Sequence, residues 1–351
     1  MTMHALAKKR KIVAGMAAML ALSAVLAGCG KSGSDGQAGA PPSASPPAAT
    51  SSASPSETAS PTPDAEQDAA LIMAFQEQAK ASEGADALNQ KLDAALDQAR
   101  QPETGDALLR AMFAFYERDL PNAEKKFEDE TIQKALQQLQ WPITAEAAAG
   151  IKDEKVKSLV GQTLAGGYKL DQAEGFIFPV VDYAKLKRTD AKVTPAMKDF
   201  VALYAMESDR KTAADAGLVI EWTELANRAI EVERYIQKYP TSAEREKAEQ
   251  RYMMYLTDLL VGLNNTPIFD FDTLKLDPKV KEVYAKTVAE HPDTVTAKMT
   301  QGLLDILAKT DGAVFKKGKN GAQTDIPEVK AFRDGLEKKA LDALDQANPD
   351  K

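Results

Sequence analysis

The sequence predicts a mainly α-helical domain with one small β-hairpin at about residues 168–181. Apolar residues recur at spacings of three and four through most of the chain after residue 64, which is typical of amphipathic helices. Two short runs rich in β-branched and aromatic residues follow Gly166-Gly167 and flank a turn at Gly175, a pattern that predicts a hairpin. We expect an antiparallel helical bundle or an irregular array of helix pairs.

The first helices are predicted from their end signals. Asp64 and Gln67 form a candidate capping box for the first helix, and Gly84 is expected to separate it from the second. Asp106 is expected to open a third helix with a strongly apolar side. Pro121 fits the first turn of a further helix, because the proline there lacks only an N–H that has no helical partner.

The later helices are predicted from caps and apolar seams. Thr194 before Pro195 is typical of an N-cap followed by the first helical position. Two similar corners, at 239–242 and 291–294, each end one helix and begin another, and Thr241 with Glu244 is expected to cap the first of these. A seam for a neighbouring helix is predicted at Trp222, Leu225, Ala229, Val232, Ile236 and Tyr239. A second hairpin or a loop is expected around 316–321.

The amino-terminal segment has the pattern of a secretory signal. Four basic residues at 8–11 precede an uncharged apolar run at 12–25. That run is too short to cross a hydrocarbon core, which needs about 20 apolar residues. Leu26-Ala27-Gly28-Cys29 then resembles the lipobox of bacterial lipoproteins. The resemblance implies cleavage between Gly28 and Cys29, a diacylglycerol on the Cys29 thiol, and an extracytoplasmic protein held on the cell membrane.

Composition divides the chain into three parts. Residues 1–28 are the predicted signal peptide, and 29–64 combine the lipidated cysteine with a segment rich in Ser, Pro and Ala. Such a segment buries too little apolar surface to offset the entropy of ordering, so we expect a disordered tether. Residues 65–351 are the predicted helical ectodomain, with a candidate sub-boundary at 166–190. The long tether favours a Gram-positive type of envelope.

Charge and cysteine usage exclude several classes of function. After Cys29 the chain has 40 basic and 52 acidic residues, a net charge of −12. That sign argues against nucleic acid as a partner, because nucleic-acid binding needs a basic surface. Cys29 is the only cysteine in the chain, so a disulfide framework is excluded. No phosphate loop or dinucleotide motif is present, and we expect no cofactor.

Two weak resemblances bear on the ectodomain. The aromatic-Pro-x-Ser/Thr corner at 239–242 and its counterpart at 291–294 resemble the junctions of tetratricopeptide-type repeats, although 52 residues separate Pro240 from Pro292. Unrelated antiparallel helices with proline corners remain an alternative. The order of helix, hairpin and helix resembles uncharacterised surface lipoproteins of Bacillus relatives, which implies no activity.

The predicted hairpin supplies candidate partner-contact residues. Aromatic side chains of this region could form an exposed contact surface, or they could be the core that holds the hairpin on the helices. They are Tyr168, Phe176, Phe178 and Tyr183.

Glu207 is the candidate catalytic residue. It lies seven residues after Phe200, on the apolar stripe of the predicted helix. A carboxyl group in an apolar environment can act as a general acid. Glu207-Ser208 also resembles the Glu-Ser pair of lytic transglycosylases, but the glutamine expected downstream is missing. The alternative is a helix-end glutamate paired with Arg210 or Lys211.

The loop at 264–277 is rich in oxygen ligands. Asp270 and Asp272 are candidate calcium ligands, because calcium prefers carboxylate and carbonyl oxygens. Their spacing does not match an EF-hand loop. Asp277 before Pro278 is instead expected to cap the next helix.

These observations favour binding over catalysis. We expect a membrane-anchored helical interaction or scaffold protein of the cell envelope, because stacked helix pairs present concave surfaces suited to partners. One alternative is a transport-associated solute-binding lipoprotein. Another is a peptidoglycan-cleaving enzyme of the lytic-transglycosylase type that uses Glu207.

Overall fold

The computed structural model describes residues 63–82 and 84–347. The predicted signal peptide, Cys29 and nearly all of the tether lie outside the described residues. The predicted mainly α class is confirmed. The helices are α1 (Pro63–Ala81), α2 (Ala85–Gln98), α3 (Pro102–Lys125), α4 (Glu130–Leu136), α5 (Ala145–Ala149), α6 (Glu154–Ala165), α7 (Pro195–Asp209), α8 (Trp222–Lys238), α9 (Arg245–Leu260), α10 (Pro278–Glu290), α11 (Val295–Lys309) and α12 (Pro327–Gln346).

The predicted hairpin is present as strands β1 (Tyr168–Ala173) and β2 (Phe176–Val181). They pair antiparallel, with Tyr168 opposite Val181 and Ala173 opposite Phe176. Because side chains alternate between the two faces of a strand, one face carries the buried side chains and packs on α3, α4 and α6. An isolated two-stranded hairpin is marginal in water, so this packing stabilises it.

Three shorter pairs of strands connect helices. They are β3 (Ala213–Ala214) with β4 (Gly217–Leu218), β5 (Gly262–Leu263) with β6 (Thr266–Pro267), and β7 (Phe315–Lys317) with β8 (Gln323–Asp325). The last pair is the second hairpin expected around 316–321. A 3₁₀ segment, Tyr183–Lys192, leads from the β1–β2 hairpin into α7.

Helix α8 is the centre of the carboxyl-terminal half. It packs against α7, α9, α10, α11 and α12. The predicted seam is the reason, since Leu225, Ala229, Val232 and Ile236 on this helix are all fully buried. The corners at 239–242 and 291–294 join the neighbouring pairs α8–α9 and α10–α11.

Buried apolar side chains form two clusters. The larger extends from α1 to α12, and the smaller joins α4, α5 and α6 to the hairpin. The hairpin belongs to both, because Tyr168 lies in the larger cluster while Leu170 and Ile177 lie in the smaller. It therefore joins the smaller cluster of α4, α5 and α6 to the larger cluster.

Several predicted helix ends are confirmed. Gly84 separates α1 from α2. The side chains of Thr194, Asp277 and Thr294 accept hydrogen bonds from backbone N–H groups at the starts of α7, α10 and α11.

The capping box at Asp64 is wrong. Helix α1 already includes Pro63, and the Asp64 carboxylate instead accepts a hydrogen bond from Arg100. The predicted start of the third helix at Asp106 is also wrong, because α3 begins four residues earlier, with Pro102 in its first turn. Asp106 caps another element: it accepts hydrogen bonds from Thr194 N and Oγ1, at 2.9 and 2.7 Å.

Two further end signals are wrong. Pro121 lies inside α3, which continues to Lys125 and keeps Ala123 buried. Thr241 does not cap α9, which begins at Arg245. Glu244 occupies the N-cap position without a side-chain capping bond, and Ser242 Oγ accepts a hydrogen bond from Glu244 N at 3.1 Å in the turn before the helix.

Candidate functional site

A cavity of about 630 Å³, here called the hairpin cavity, lies in the described domain. It lies between the β1–β2 hairpin, the end of α7 and the middle of α9, with the segment before α5 at its edge. The lining residues that matter below are Trp141, Lys169, Tyr183, Tyr204, Arg210 and Arg251. Its volume is within the range of small-molecule sites, about 300–1,000 Å³.

One wall of the hairpin cavity is aromatic. The rings of Tyr183 and Tyr204 meet edge-on with centroids 5.0 Å apart, and Phe113 stacks on Tyr183 at 5.4 Å. Phe200 supports Tyr204 from behind at 4.7 Å. Burial raises the pKa of Tyr183 above its usual value, so its hydroxyl stays protonated at neutral pH. The wall is therefore uncharged and is held in place by ring contacts on its far side.

Arg251 of α9 lies against this wall. Its guanidinium carbon is 4.1 Å from the centroid of Tyr204, the geometry of a cation–π contact. Its Nη1 donates to Tyr255 Oη at a long 3.5 Å. Its Nε is buried and has no hydrogen-bond partner among the described residues. Arginine thus brings to the hairpin cavity a fixed positive charge with donors that the protein leaves unused.

The other cations of the hairpin cavity differ in how well they are neutralised. Lys211 Nζ lies 3.0 Å from Asp171 Oδ2 and also donates to Gln172 O at 3.1 Å. Lys169 is held loosely, 3.5 Å from an oxygen of Asp209. The exposed side chain of Arg210 forms no hydrogen bond or ion pair with the described part of the chain. Arg210 and Arg251 are therefore available to an anion.

Glu207, the candidate catalytic residue, lies at the edge of the hairpin cavity in the last turn of α7. Its Oε1 accepts from Thr212 N at 2.8 Å. Its Oε2 accepts from Thr212 Oγ1 at 2.6 Å, Tyr255 Oη at 2.9 Å and Arg228 Nη1 at 3.1 Å. The carboxylate is thus an acceptor for three side chains and one backbone N–H, and its ion-pair partner is Arg228 rather than Arg210 or Lys211.

Arg228 is the buried half of that ion pair. Its side chain is 2 % exposed, and Nη1 also donates to the Arg210 carbonyl at 2.8 Å. Nε donates to Glu224 at 3.1 Å. Because a buried guanidinium needs both a counter-charge and hydrogen-bond acceptors, these contacts fix the end of α7 on α8.

A second carboxyl group lies close to this ion pair. Burial, reinforced by the negative charge of Glu207, raises the pKa of Asp258 to about 6. Asp258 follows Arg251 and Tyr255 at helical spacing along α9. Near neutral pH its negative charge therefore lies on the same face of α9 as Arg251.

The four candidate partner-contact residues of the hairpin region do not form one surface. Tyr168 is buried, and its hydroxyl donates to Asp119 at 2.7 Å. Phe176 is 38 % exposed and stacks on Phe178, with centroids 6.4 Å apart. Tyr183 lies apart from that pair, in the aromatic wall of the hairpin cavity.

Of the two candidate calcium ligands, Asp270 holds a turn of its loop. Asp270 Oδ1 accepts hydrogen bonds from Thr273 N at 2.9 Å and Thr273 Oγ1 at 2.8 Å, and these bonds lower the pKa of Asp270. Asp272 is exposed. Among residues 63–82 and 84–347, His, Cys, Asp and Glu form no group of three or more arranged to hold a metal ion.

Sequence reasoning missed Arg228, Arg251 and Trp141. A signal existed for the two arginines, because each lies at helical spacing from buried residues: Arg228 follows Leu225 by three, and Arg251 precedes Tyr255 by four. A charged residue on a buried face needs a partner, so either could have been flagged. Trp141 carried no such signal.

No family model, curated protein or solved structure matches the chain. In the described part of the chain, no helix is both long enough and apolar enough to cross a membrane.

Proposed function

We propose that this protein is a membrane-anchored, extracytoplasmic interaction protein whose helical domain binds its partner at the hairpin cavity. The lipobox resemblance supports the anchor, with Cys29 carrying the lipid. In this proposal the segment after Cys29 is a tether that holds the domain away from the lipid surface. Lipid attachment of two or three acyl chains gives stable anchoring, whereas one chain does not.

The observation that carries the binding role is the combination of charge and aromatic surface in the hairpin cavity. Arg251 and Arg210 have donors without protein partners, and Tyr204 and Tyr183 form a supported wall beside them. The exposed donors of Arg210 meet water, whereas the buried Nε of Arg251 has no partner among the described residues, and an unmet buried donor costs about 1–3 kcal/mol. A convergence of unused donors on a concave surface is typical of a binding site.

Trp141 marks the mouth of the hairpin cavity and permits a site-directed test. The indole is 37 % exposed, so a photoreactive amino acid placed there faces an incoming partner. We would introduce benzoylphenylalanine at position 141 in the full chain, irradiate intact cells and identify the adducts by mass spectrometry. The matched control is the same substitution at Met73, which is 66 % exposed on α1 and outside the hairpin cavity.

The expected result is a specific adduct from position 141 that position 73 does not form. Equal labelling from both positions, or none from 141, would remove the binding role. A parallel culture carrying Cys29→Ser and fed a clickable fatty acid tests the anchor. Loss of the label and release of the protein from membranes are expected, and retained label would contradict the lipid assignment.

A transport-associated solute-binding role is the second candidate, and the size of the hairpin cavity is the observation in its favour. About 630 Å³ accommodates a small molecule. In that case photolysis at position 141 would give a small-molecule mass shift on the intact protein rather than a protein-sized adduct.

A further inference from the structure

We propose that the hairpin cavity recognises an anionic group, a carboxylate or a phosphate, attached to an aromatic or aliphatic body. This inference rests on the proposed binding role and names the chemistry of the ligand. The same chemistry is offered by a free small molecule and by the carboxyl terminus of a peptide. The experiment below distinguishes these two sources.

The cation that would hold the anion is Arg251. Its guanidinium carbon lies 4.1 Å from the ring centroid of Tyr204, so its charge is held at the aromatic wall of the hairpin cavity. Carboxylate and phosphate oxygens suit a guanidinium, because it can donate two parallel hydrogen bonds to them. Apart from the long contact of Nη1 with Tyr255 Oη, the guanidinium forms no hydrogen bond with the described part of the chain, so the N–H groups that line the hairpin cavity are the donors for such a ligand.

The carboxylates around Arg251 are bound by other residues and do not pair with it. Glu207, which shares Tyr255 Oη with Arg251, accepts hydrogen bonds from Arg228 and from the hydroxyls of Thr212 and Tyr255. Asp171 is likewise taken by Lys211. An incoming anion therefore meets an arginine without competition from an acidic neighbour that pairs with it.

Arg210 supplies a second positive charge at the same site. It lines the hairpin cavity, is exposed and has no ion-pair partner in the described part of the chain. The chain has a formal net charge of −8, so two arginines without ion-pair partners in one cavity form a positive site on a negatively charged protein. Such a feature concentrates and orients a small anion that the rest of the surface repels.

The apolar part of the ligand is inferred from the walls. Tyr183 and Tyr204 form one side, Trp141 lies at the mouth, and Val180 and exposed Val219 complete the apolar lining. Inorganic phosphate alone would leave this surface in contact with water. A ring or short aliphatic chain next to the anionic group would cover it and gain free energy from burial.

The test uses tryptophan fluorescence of the full chain carrying Trp222→Phe, which leaves Trp141 as the single indole. The probes are benzoate, phenyl phosphate and, as the neutral analogue of similar shape, benzamide. We expect at least one anion to change Trp141 emission with a Kd below about 10 mM, a modest requirement for a fragment of this size. Benzamide is expected to bind at least about tenfold more weakly, since it lacks the charge that strengthens an arginine hydrogen bond.

Three variants assign the effect. Arg251→Met should weaken anion binding about tenfold or more. Arg210→Met should weaken it several-fold, and it should leave the fold intact because the exposed Arg210 side chain forms no hydrogen bond or ion pair with the described part of the chain. Arg234→Met is the matched control, because Arg234 is an exposed arginine outside the hairpin cavity, and its affinity should stay within about twofold of the parent. Thermal melts of each variant show whether the fold is intact.

The source of the anion is resolved with a short peptide ending in phenylalanine, as the free acid and as the amide. Tight binding of the free acid over the amide and over benzoate assigns a peptide terminus, and equal binding of benzoate assigns a free solute. The inference is overturned if benzamide binds as well as benzoate, if no anion changes Trp141 emission, or if Arg210→Met and Arg251→Met both leave affinity unchanged. A specific photoadduct at position 141 together with any of these results would keep the proposed binding role and reject the anion.

Discussion

Replacing Glu207 with glutamine separates a structural role of this carboxylate from a catalytic one. Glutamine keeps the size of the side chain and one carbonyl acceptor, but it removes the negative charge. It also puts an NH₂ group where three side-chain donors, from Thr212, Arg228 and Tyr255, now meet an oxygen. We expect the variant to unfold more easily, because the guanidinium of Arg228 stays buried with its main counter-charge gone.

The size of the effect follows from burial and from what remains. Breaking a buried ion pair by removing one partner costs about 3–5 kcal/mol. Glu207 is 25 % exposed and Glu224 still contacts Arg228, so the loss should lie at the lower end, about 3 kcal/mol. The matched control is Glu224→Gln, which removes one bond of 3.1 Å from a carboxylate that is 39 % exposed and should cost less than about 1 kcal/mol.

Urea unfolding followed by far-ultraviolet circular dichroism measures both variants. The free energy of unfolding comes from the midpoint and the slope, and an unchanged slope shows that the unfolded states are comparable. If Glu207→Gln and Glu224→Gln lower the free energy of unfolding equally, the Glu207–Arg228 ion pair does not hold the end of α7 on α8. If Glu207→Gln is as stable as the parent yet loses a cell-wall-cleaving activity, the carboxylate is catalytic.

Two further perturbations test the packing and the charges. Gly105→Ala should destabilise the fold by about 3 kcal/mol, because the added Cβ would lie 2.0 Å from the Lys192 carbonyl oxygen. Gly161→Ala, at an exposed position of α6 where the added Cβ meets nothing within 4 Å, should stabilise the fold by up to about 1 kcal/mol. Equal midpoints in urea would contradict this. Asp258→Asn should raise stability at about pH 7.5, because the raised pKa of Asp258 means that the folded state loses stability as pH rises from about 4 to about 6. The gain, about 1 kcal/mol after allowance for solvent screening of this partly exposed group, should disappear below about pH 4, and a gain independent of pH would rule out the charge of Asp258 as its cause.

Sequence patterning predicted the elements better than their ends. The stripe on α8 and the hairpin between Gly167 and Val181 follow from local spacing, which is a property of neighbouring residues. The ends failed where a polar side chain serves a distant element. Asp106 is a residue type favoured at N-caps, but both of its carboxylate oxygens accept hydrogen bonds from Thr194, 88 residues later. Local sequence shows a residue's capacity to cap a helix, and tertiary contact decides which helix it caps.

The hairpin cavity lay beyond sequence patterning for the same reason. Its residues come from the segment before α5, from β1, from α7 and from α9, and no spacing along the chain links Trp141 to Arg251. Glu207 was found because a carboxylate on an apolar stripe is visible in one helix. Its partner Arg228 lies on another helix, so the sequence could indicate a buried charge without indicating what neutralises it.

The two arginines of α8 and α9 show why the cavity can hold an open cation. Arg228 and Glu207 neutralise each other, and Tyr255 of α9 donates to the same carboxylate, so α7, α8 and α9 are joined at one point. That junction fixes Arg251, one helical turn before Tyr255, against Tyr204 of α7. The Arg251 side chain therefore loses its conformational entropy on folding and not on binding. A ligand anion can form hydrogen bonds with it without having to order a long side chain. Weakening the Glu207–Arg228 pair should for this reason reduce anion affinity even though neither residue needs to touch the anion.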